Sequence, residues 1–324
     1  MIAKVINKIK KIGLKKTIRL INERIYQKTS IDLNITLNQK NKLEKEWMHY
    51  WKSYKYIEKK YKKKVLALEK KKGTGKFSNK VWWCWLQGEE NAPKLQKKCL
   101  KTLRENLVDR EIIVITQENL YEYIDFPDFI KEKYKKGIIS HTHFSDLVRL
   151  ELLIRHGGTW IDSTTYCTGY DEMLFDKPLF VFKNLNYIWY AHKKDFNQRA
   201  IIADNWFITA EIGNPILEAV RDLLFDYWSK HNYLTNYFIF HYLFTLVVTY
   251  KYSEEFAKID NISHLLPHLL QFICLEEYNK ITLQNIIKQS SVHKLTHKIP
   301  ENEIKENSYL NTIIKDKEYK VVGK

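Results

Sequence analysis

SDLVRLELLIRHGGTWIDST, residues 145–164, changes its hydrophobic period within twenty residues. The first part, Ser140 to His156 when extended upstream, reads as a helix. Leu147, Val148, Leu150, Leu152, Leu153 and Ile154 make it apolar nearly all round, the pattern of a helix buried on most sides. Gly157-Gly158 stops it, and Thr159 to Asp162 reads as a strand. Asp146 and Arg149 stand three apart and share one helical face. Charges on so buried a helix must be paired or must meet a ligand. Asp162 ends the strand, which is where open α/β sheets receive ligands.

The flanks agree. VWWCWL, residues 81–86, is a continuous apolar run closed by Gly88, as expected of a buried and parallel strand. Asn91-Ala92-Pro93 opens a helix to about Asn106, EIIVIT at 111–116 is a second strand, and short helical pieces follow to Tyr134. Leu179–Phe182 and Ile201–Thr209 read as further strands, and 214–251 as two helices. YFIFHYLFTLVV at 237–248 is too short to span a bilayer and is expected to be a buried helix, with His241 a core histidine. Strand–helix alternation of this kind predicts an α/β sandwich on a mostly parallel sheet flanked by helices.

The net charge of +16 is unevenly placed: residues 1–80 carry +18 and residues 81–324 carry −2. A basic arm beside a near-neutral body argues against a nucleic-acid-binding protein, since no nucleic-acid module accompanies the charge. In residues 1–26, Ile2, Val5, Ile6, Ile9 and Ile12, then Leu14, Ile18, Ile21 and Ile25, form apolar stripes with lysines on the other faces. That is the pattern of an amphipathic helix on an anionic membrane surface. Lysines at 4, 8, 10 and 11 break every apolar run, so neither a signal peptide nor a transmembrane span is expected there. A second helical stretch covers 41–72, with the lysine runs 59–64 and 70–72, and GTGKFSN at 73–79 supplies turn signals. The expected organisation is a basic helical arm (1–79), a catalytic-type α/β domain (80–298) and a tail (299–324). Cys84, Cys99, Cys167 and Cys274 have no metal or disulfide spacing and fit buried thiols in a reducing compartment.

One strand-end carboxylate, a carboxylate and guanidinium on the adjoining helix, and bulky rings suit a sugar nucleotide: carboxylates take hydroxyls or a hydrated divalent ion, arginine takes phosphate oxygens. SDLVRLELLIRHGGTWIDSTTY (145–166) resembles the S-D-x-x-R…G-G-x-x-x-D core of glycosyltransferase family 32, in its bacterial capsular polysaccharide branch. WWCWLQGEENAP, NWFITA (205–210) and SSVHKLTHK (290–298) extend the resemblance over about residues 80–298. It implies a GT-A-like Rossmann-type fold, a nucleotide-sugar donor such as a UDP-sugar, a lipid-linked glycan acceptor, Mn²⁺ or Mg²⁺, and retention of configuration at the inner face of the plasma membrane. By matching positions it implies donor contacts from Trp85, Gln87, Ser145, Asp146, Arg149, Trp160, Asn205, His293 and Lys294. Asp162, Asp146 and Arg149 would serve the reaction, with Asp162 and Thr164 at the metal. The second acid of the family's D-x-D is Thr164 here, and a hydroxyl is a poor substitute for a ligating carboxylate. That departure keeps a catalytically inactive scaffold of the same fold as the alternative expectation. Asp171, Glu172 and Asp176 stand downstream as candidate replacements.

Overall fold

A computed structural model describes residues 13–14, 17–18, 42–184 and 200–315. The membrane-facing stripe expected over 1–26 therefore falls almost wholly outside the described residues. Helix α1 (Lys42–Leu66) leads to β1 (Lys80–Cys84), α2 (Lys94–Asn106) and β2 (Glu111–Ile115). Short helices α3 (Leu120–Tyr123) and α4 (Asp128–Lys135) precede α5 (His141–His156), β3 (Gly158–Ile161) and β4 (Thr165–Cys167). Then come α6 (Glu172–Phe175), β5 (Leu179–Lys183), β6 (Ala203–Ala210), α7 (Pro215–Lys230) and α8 (Ile239–Tyr250). The chain continues through α9 (Ser253–Ala257), α10 (Leu265–Phe272), α11 (Lys280–Ile287), β7 (Val292–Lys294) and α12 (Tyr309–Ile314).

The central sheet has the order β2-β1-β3-β6-β5. β1 pairs in parallel with β2 and β3, while β6 runs antiparallel to β3 and β5. Four strands thus point one way and β6 alone runs against them. The mostly parallel sheet flanked by helices is as the patterning predicts; the reversal of β6 is not, because side-chain alternation is blind to strand direction. A second, two-stranded sheet joins β4 to β7.

Gly158 makes the closest approach in the sheet. Its φ is +89°, and a Cβ there would lie 2.2 Å from the Lys80 carbonyl oxygen. Only glycine lets β3 lie beside β1 so near the helix that feeds it.

The 1–79 segment is not wholly separate from the body. Tyr54, Ile57, Tyr61 and Val65 of α1 are buried in the main core, and α1 packs on α8. Lysines of the runs face acids of the body, as in Lys64–Asp226 (2.5 Å), Lys71–Glu218 (2.9 Å) and Lys70–Glu255 (3.0 Å). Charge patterning saw the lysines and not the acids they meet. Replacing fully buried Ile57 by alanine is expected to cost about 2–5 kcal/mol and to lower the melting midpoint by several degrees. An unchanged midpoint would place α1 outside the folding unit. The segment after 298 is also packed: Tyr309, Leu310 and Ile313 of α12 share a second core with Leu95, Cys99 and Leu270.

Candidate functional site

Parallel strands β1 and β3 end at one edge of the sheet, and antiparallel β6 begins there. Trp85, Asp162 and Asn205 meet at that edge as a result. Helix α5, capped by the Ser140 hydroxyl accepting from His143 N, adds Ser145, Asp146 and Arg149. The second sheet adds Lys294: the turn Asp162-Ser163-Thr164 leads straight into β4, whose Thr165 is in register with Lys294 of β7. Leu295 N donates to Thr164 O at 2.9 Å and fixes that register.

Arg149 is the hub. Its guanidinium donates to the Asn205 carbonyl (2.5 Å), the Ser145 carbonyl (3.3 Å) and the Ser145 hydroxyl (3.2 Å). Both Asp146 and Asp162 stand 3.5 Å from it, and the Trp160 ring lies beneath it at 5.0 Å. Asn205 Nδ2 donates to Asp146 Oδ1 (2.9 Å). Asp162 Oδ1 accepts from Trp160 Nε1 (3.0 Å), and Asp162 Oδ2 accepts from Lys294 Nζ (2.9 Å). Lys294 Nζ also donates to Thr164 Oγ1 (3.0 Å) and lies over the Trp206 ring at 5.7 Å.

The two carboxylates sit in different fields. Burial raises the Asp146 carboxyl above its ordinary value, with Arg149 opposing. Burial also pushes the Asp162 carboxyl up, but Lys294 and Arg149, with hydrogen bonds from Lys294 and Trp160, hold it below the usual range. Asp162 is therefore ionised at neutral pH. Its side chain keeps 29% exposure and that of Lys294 17%, against 4% for Arg149. Solvent, and so a ligand, reaches Asp162 and Lys294 first.

The donors present do not fit a divalent ion. Hard cations take six or more oxygens, usually several from carboxylates. Here Asp162 is the one carboxylate at the turn, Thr164 is 4% exposed, and both already accept from Lys294. A divalent ion about 4 Å from that ammonium would be repelled by roughly 8 kcal/mol at an effective dielectric of about 20. Among the described residues no group of three His, Cys, Asp or Glu side chains is placed to hold a metal. Asp171 instead caps α6 by accepting from Met173 N (3.0 Å), Glu172 is exposed on α6, and Asp176 pairs with Arg110 (2.5 Å). Lys294 bridges the two side chains expected at the metal, Asp162 and Thr164.

Three of the residues expected to contact the donor are buried. Trp160 is 2% exposed and serves as hydrogen-bond donor and floor. Arg149 directs Nε, Nη1 and Nη2 at Ser145 and Asn205 and stands 3.5 Å from both aspartates, so in this structure its guanidinium is turned to its neighbours. His293 is fully buried, because strand alternation sends it to the face opposite Lys294, where its Nε2 lies 3.2 Å from Thr168 Oγ1. Trp85 is half-buried and Gln87 exposed on the loop after β1, and Ser145 and Asn205 are partly exposed at the same edge.

Burial lowers the His293 imidazole to about 4. A folded value below the unfolded one means stability is full above about 6.5 and is lost as pH falls towards 4. Between pH 7 and pH 5 the loss from this residue is about 2 kcal/mol. His293→Gln should remove that part of the acid slope in denaturant titrations, and an unchanged slope would refute neutral burial.

Sequence reasoning missed Asp204, one residue before the NWFITA run. It accepts from Trp206 Nε1 (3.0 Å) and pairs with His264 at 3.4 Å. His241, expected to be a core histidine, is a half-buried ring on α8 whose Nδ1 is buried without a partner. Tyr237 is 55% exposed and senses Asp146 and Asp162. No local pattern marks these, because Asp204 opens β6, Tyr237 precedes α8 and His241 lies on it, and only the fold brings them towards the site. A cavity of about 660 Å³ elsewhere is lined by Lys70, Lys177, Glu211 and Lys258. It lies at the opposite edge of the sheet and holds none of these groups.

Such a sheet, with buried charges gathered where its parallel strands end, defines an α/β protein of the ligand-binding-edge class. The chain belongs to the capsular polysaccharide synthesis protein family, whose model matches residues 31–313. It is 24% identical over 164 residues to the O-glycosyltransferase braB of Annulohypoxylon truncatum, a match that covers 46% of this chain and 37% of that protein. The chain thus spans well under half of that relative's length. A solved structure, the PaToxG glycosyltransferase, is 14% identical, with 82% of this chain and 94% of that chain covered at a TM-score of 0.38.

Proposed function

We propose that this protein is a glycosyltransferase of the family 32 type, moving a sugar from a nucleotide-sugar donor to a lipid-linked capsular or surface-glycan precursor with retention. The observation that carries the reading is the convergence of Asp162, Asn205 and Lys294 at the edge where β1 and β3 end, the end of the sheet at which Trp85 follows β1. The family and the name of the fungal relative support it. In this reading Trp85 packs on the base, and Ser145, Asp146 and Asn205 hold ribose or sugar hydroxyls. Asp162 holds Lys294 in place and accepts from a sugar hydroxyl with its remaining lone pairs. No side chain need act as nucleophile, since the departing phosphate oxygen can take the acceptor's proton.

The basic residues of 1–26 bring the site to an anionic membrane surface where the acceptor resides. Among the described residues no helix is long and apolar enough to cross a membrane. The bridging of Asp162 and Thr164 by Lys294 gives a second reading its footing: an inactive scaffold of the same fold. A panel of UDP-, GDP- and CMP-sugars decides between them. The enzyme reading expects stabilisation against heat by one donor class and slow hydrolysis of that donor. Absence of both across the panel would overturn it.

A further inference from the structure

The residues where a D-x-D metal would be held are already bridged by a cation. Lys294 Nζ lies 2.9 Å from Asp162 Oδ2 and 3.0 Å from Thr164 Oγ1. An ammonium has three N–H donors, and these two contacts use two of them. The third is left for the solvent side, where the side chain keeps 17% exposure. The β4–β7 register fixes the backbone of Lys294, and the Trp206 ring flanks its ammonium. On the inner side, Arg149 and Asp146 complete a set of two carboxylates and two cations.

We infer that Lys294 is this protein's built-in replacement for the divalent ion, so that the donor's diphosphate is bound and neutralised without metal. The inference rests on the glycosyltransferase reading above and deepens it. Thr164 fits the arrangement, because a hydroxyl that accepts from an ammonium is sound chemistry where a hydroxyl ligating Mn²⁺ is poor. In the transfer, a bond forms between the acceptor oxygen and the sugar's C1 while the C1–O bond to the β-phosphate breaks. The bonding pair stays on the β-phosphate oxygen, and the acceptor's proton passes to that phosphate. The charge that appears on the leaving diphosphate is met by Lys294, which is already in place and needs no capture of an ion from solution.

The test measures binding of nucleoside diphosphates (UDP, GDP and CDP) by calorimetry in EDTA and again in millimolar Mn²⁺, using the full chain. The expected result is one diphosphate with the same Kd, within about twofold, under both conditions, and no saturable Mn²⁺ site in a titration with the metal alone. Lys294→Met should weaken that diphosphate by at least tenfold and leave the parent nucleoside unchanged. Lys294→Arg should restore most of the loss, which separates a charge effect from misfolding. If a diphosphate binds only with Mn²⁺, or if Lys294→Met binds it as well as wild type, the inference is overturned while the transferase reading stands. If no diphosphate binds under either condition, the donor reading falls and takes the inference with it.

Discussion

Asp162→Asn abolishes transfer while the chain stays folded: that is the largest effect expected at the site. The substitution keeps the side-chain shape and an acceptor for Trp160 Nε1, 3.0 Å away. It removes the charge that Lys294 at 2.9 Å and Arg149 at 3.5 Å share. Hydrogen bonds to charged groups are worth about 1.5–3 kcal/mol each. Losing that charge leaves Lys294 without its anchor, and turnover is expected to fall at least about a hundredfold, the equivalent of roughly 3 kcal/mol. Thr164→Val makes a graded companion. It removes only the neutral contact to Lys294 at 3.0 Å, so a loss of about fivefold follows from roughly 1 kcal/mol. Donor turnover at saturating and low donor, with melting curves alongside, checks both. Asp162→Asn within about threefold of wild type, or Thr164→Val as damaging as Asp162→Asn, would refute the ranking.

Much of this site is legible in the sequence itself, and the reason is local. A helix that is apolar all round, a Gly-Gly stop and a short strand ending in aspartate lie within twenty consecutive residues, so Asp146, Arg149 and Asp162 have to be neighbours. The strand at 81–84 is equally plain, because a strand buried on both faces is a continuous apolar run. What stays hidden depends on partners far along the chain. Lys294 meets Asp162 across 132 residues through a three-residue strand, too short to read from pattern. Asp204 and His264 join from β6 and the approach to α10. The acids that neutralise Lys64, Lys70 and Lys71 lie on α7 and α9, so the basic arm looks more independent in sequence than it is. His293 and Lys294 look alike in sequence; strand alternation buries the first and exposes the second.

Arg149 is where the structure changes the expected chemistry most, and its replacement should be felt first in the fold. At 4% exposure it compensates two carboxylates, of which Asp146 is already pushed towards neutrality by burial. Removing one member of a buried charge set leaves the others uncompensated, at a cost of about 3–5 kcal/mol. Arg149→Ala is therefore expected to lower stability by about that amount. Arg149→Lys keeps a charge but loses the planar fork that reaches the Asn205 carbonyl, the Ser145 hydroxyl and both aspartates together. It should recover no more than half the loss. Ligand binding separates this positioning role from direct phosphate contact. If Arg149 acts by holding Asp162 and Asn205, Arg149→Lys weakens a nucleoside diphosphate and its parent nucleoside by similar factors. If it touched phosphate, the diphosphate alone would suffer. Asp146→Asn supplies the second half of a double-mutant cycle. It removes the charge that burial disfavours and keeps an oxygen for Asn205 Nδ2, now 2.9 Å away. Asp146→Asn alone should cost less than Arg149→Ala, and Arg149→Ala should be milder in the Asp146→Asn background, by about 1 kcal/mol or more for groups in one network. Additive losses in that cycle would mean the two side chains act separately and would overturn the hub.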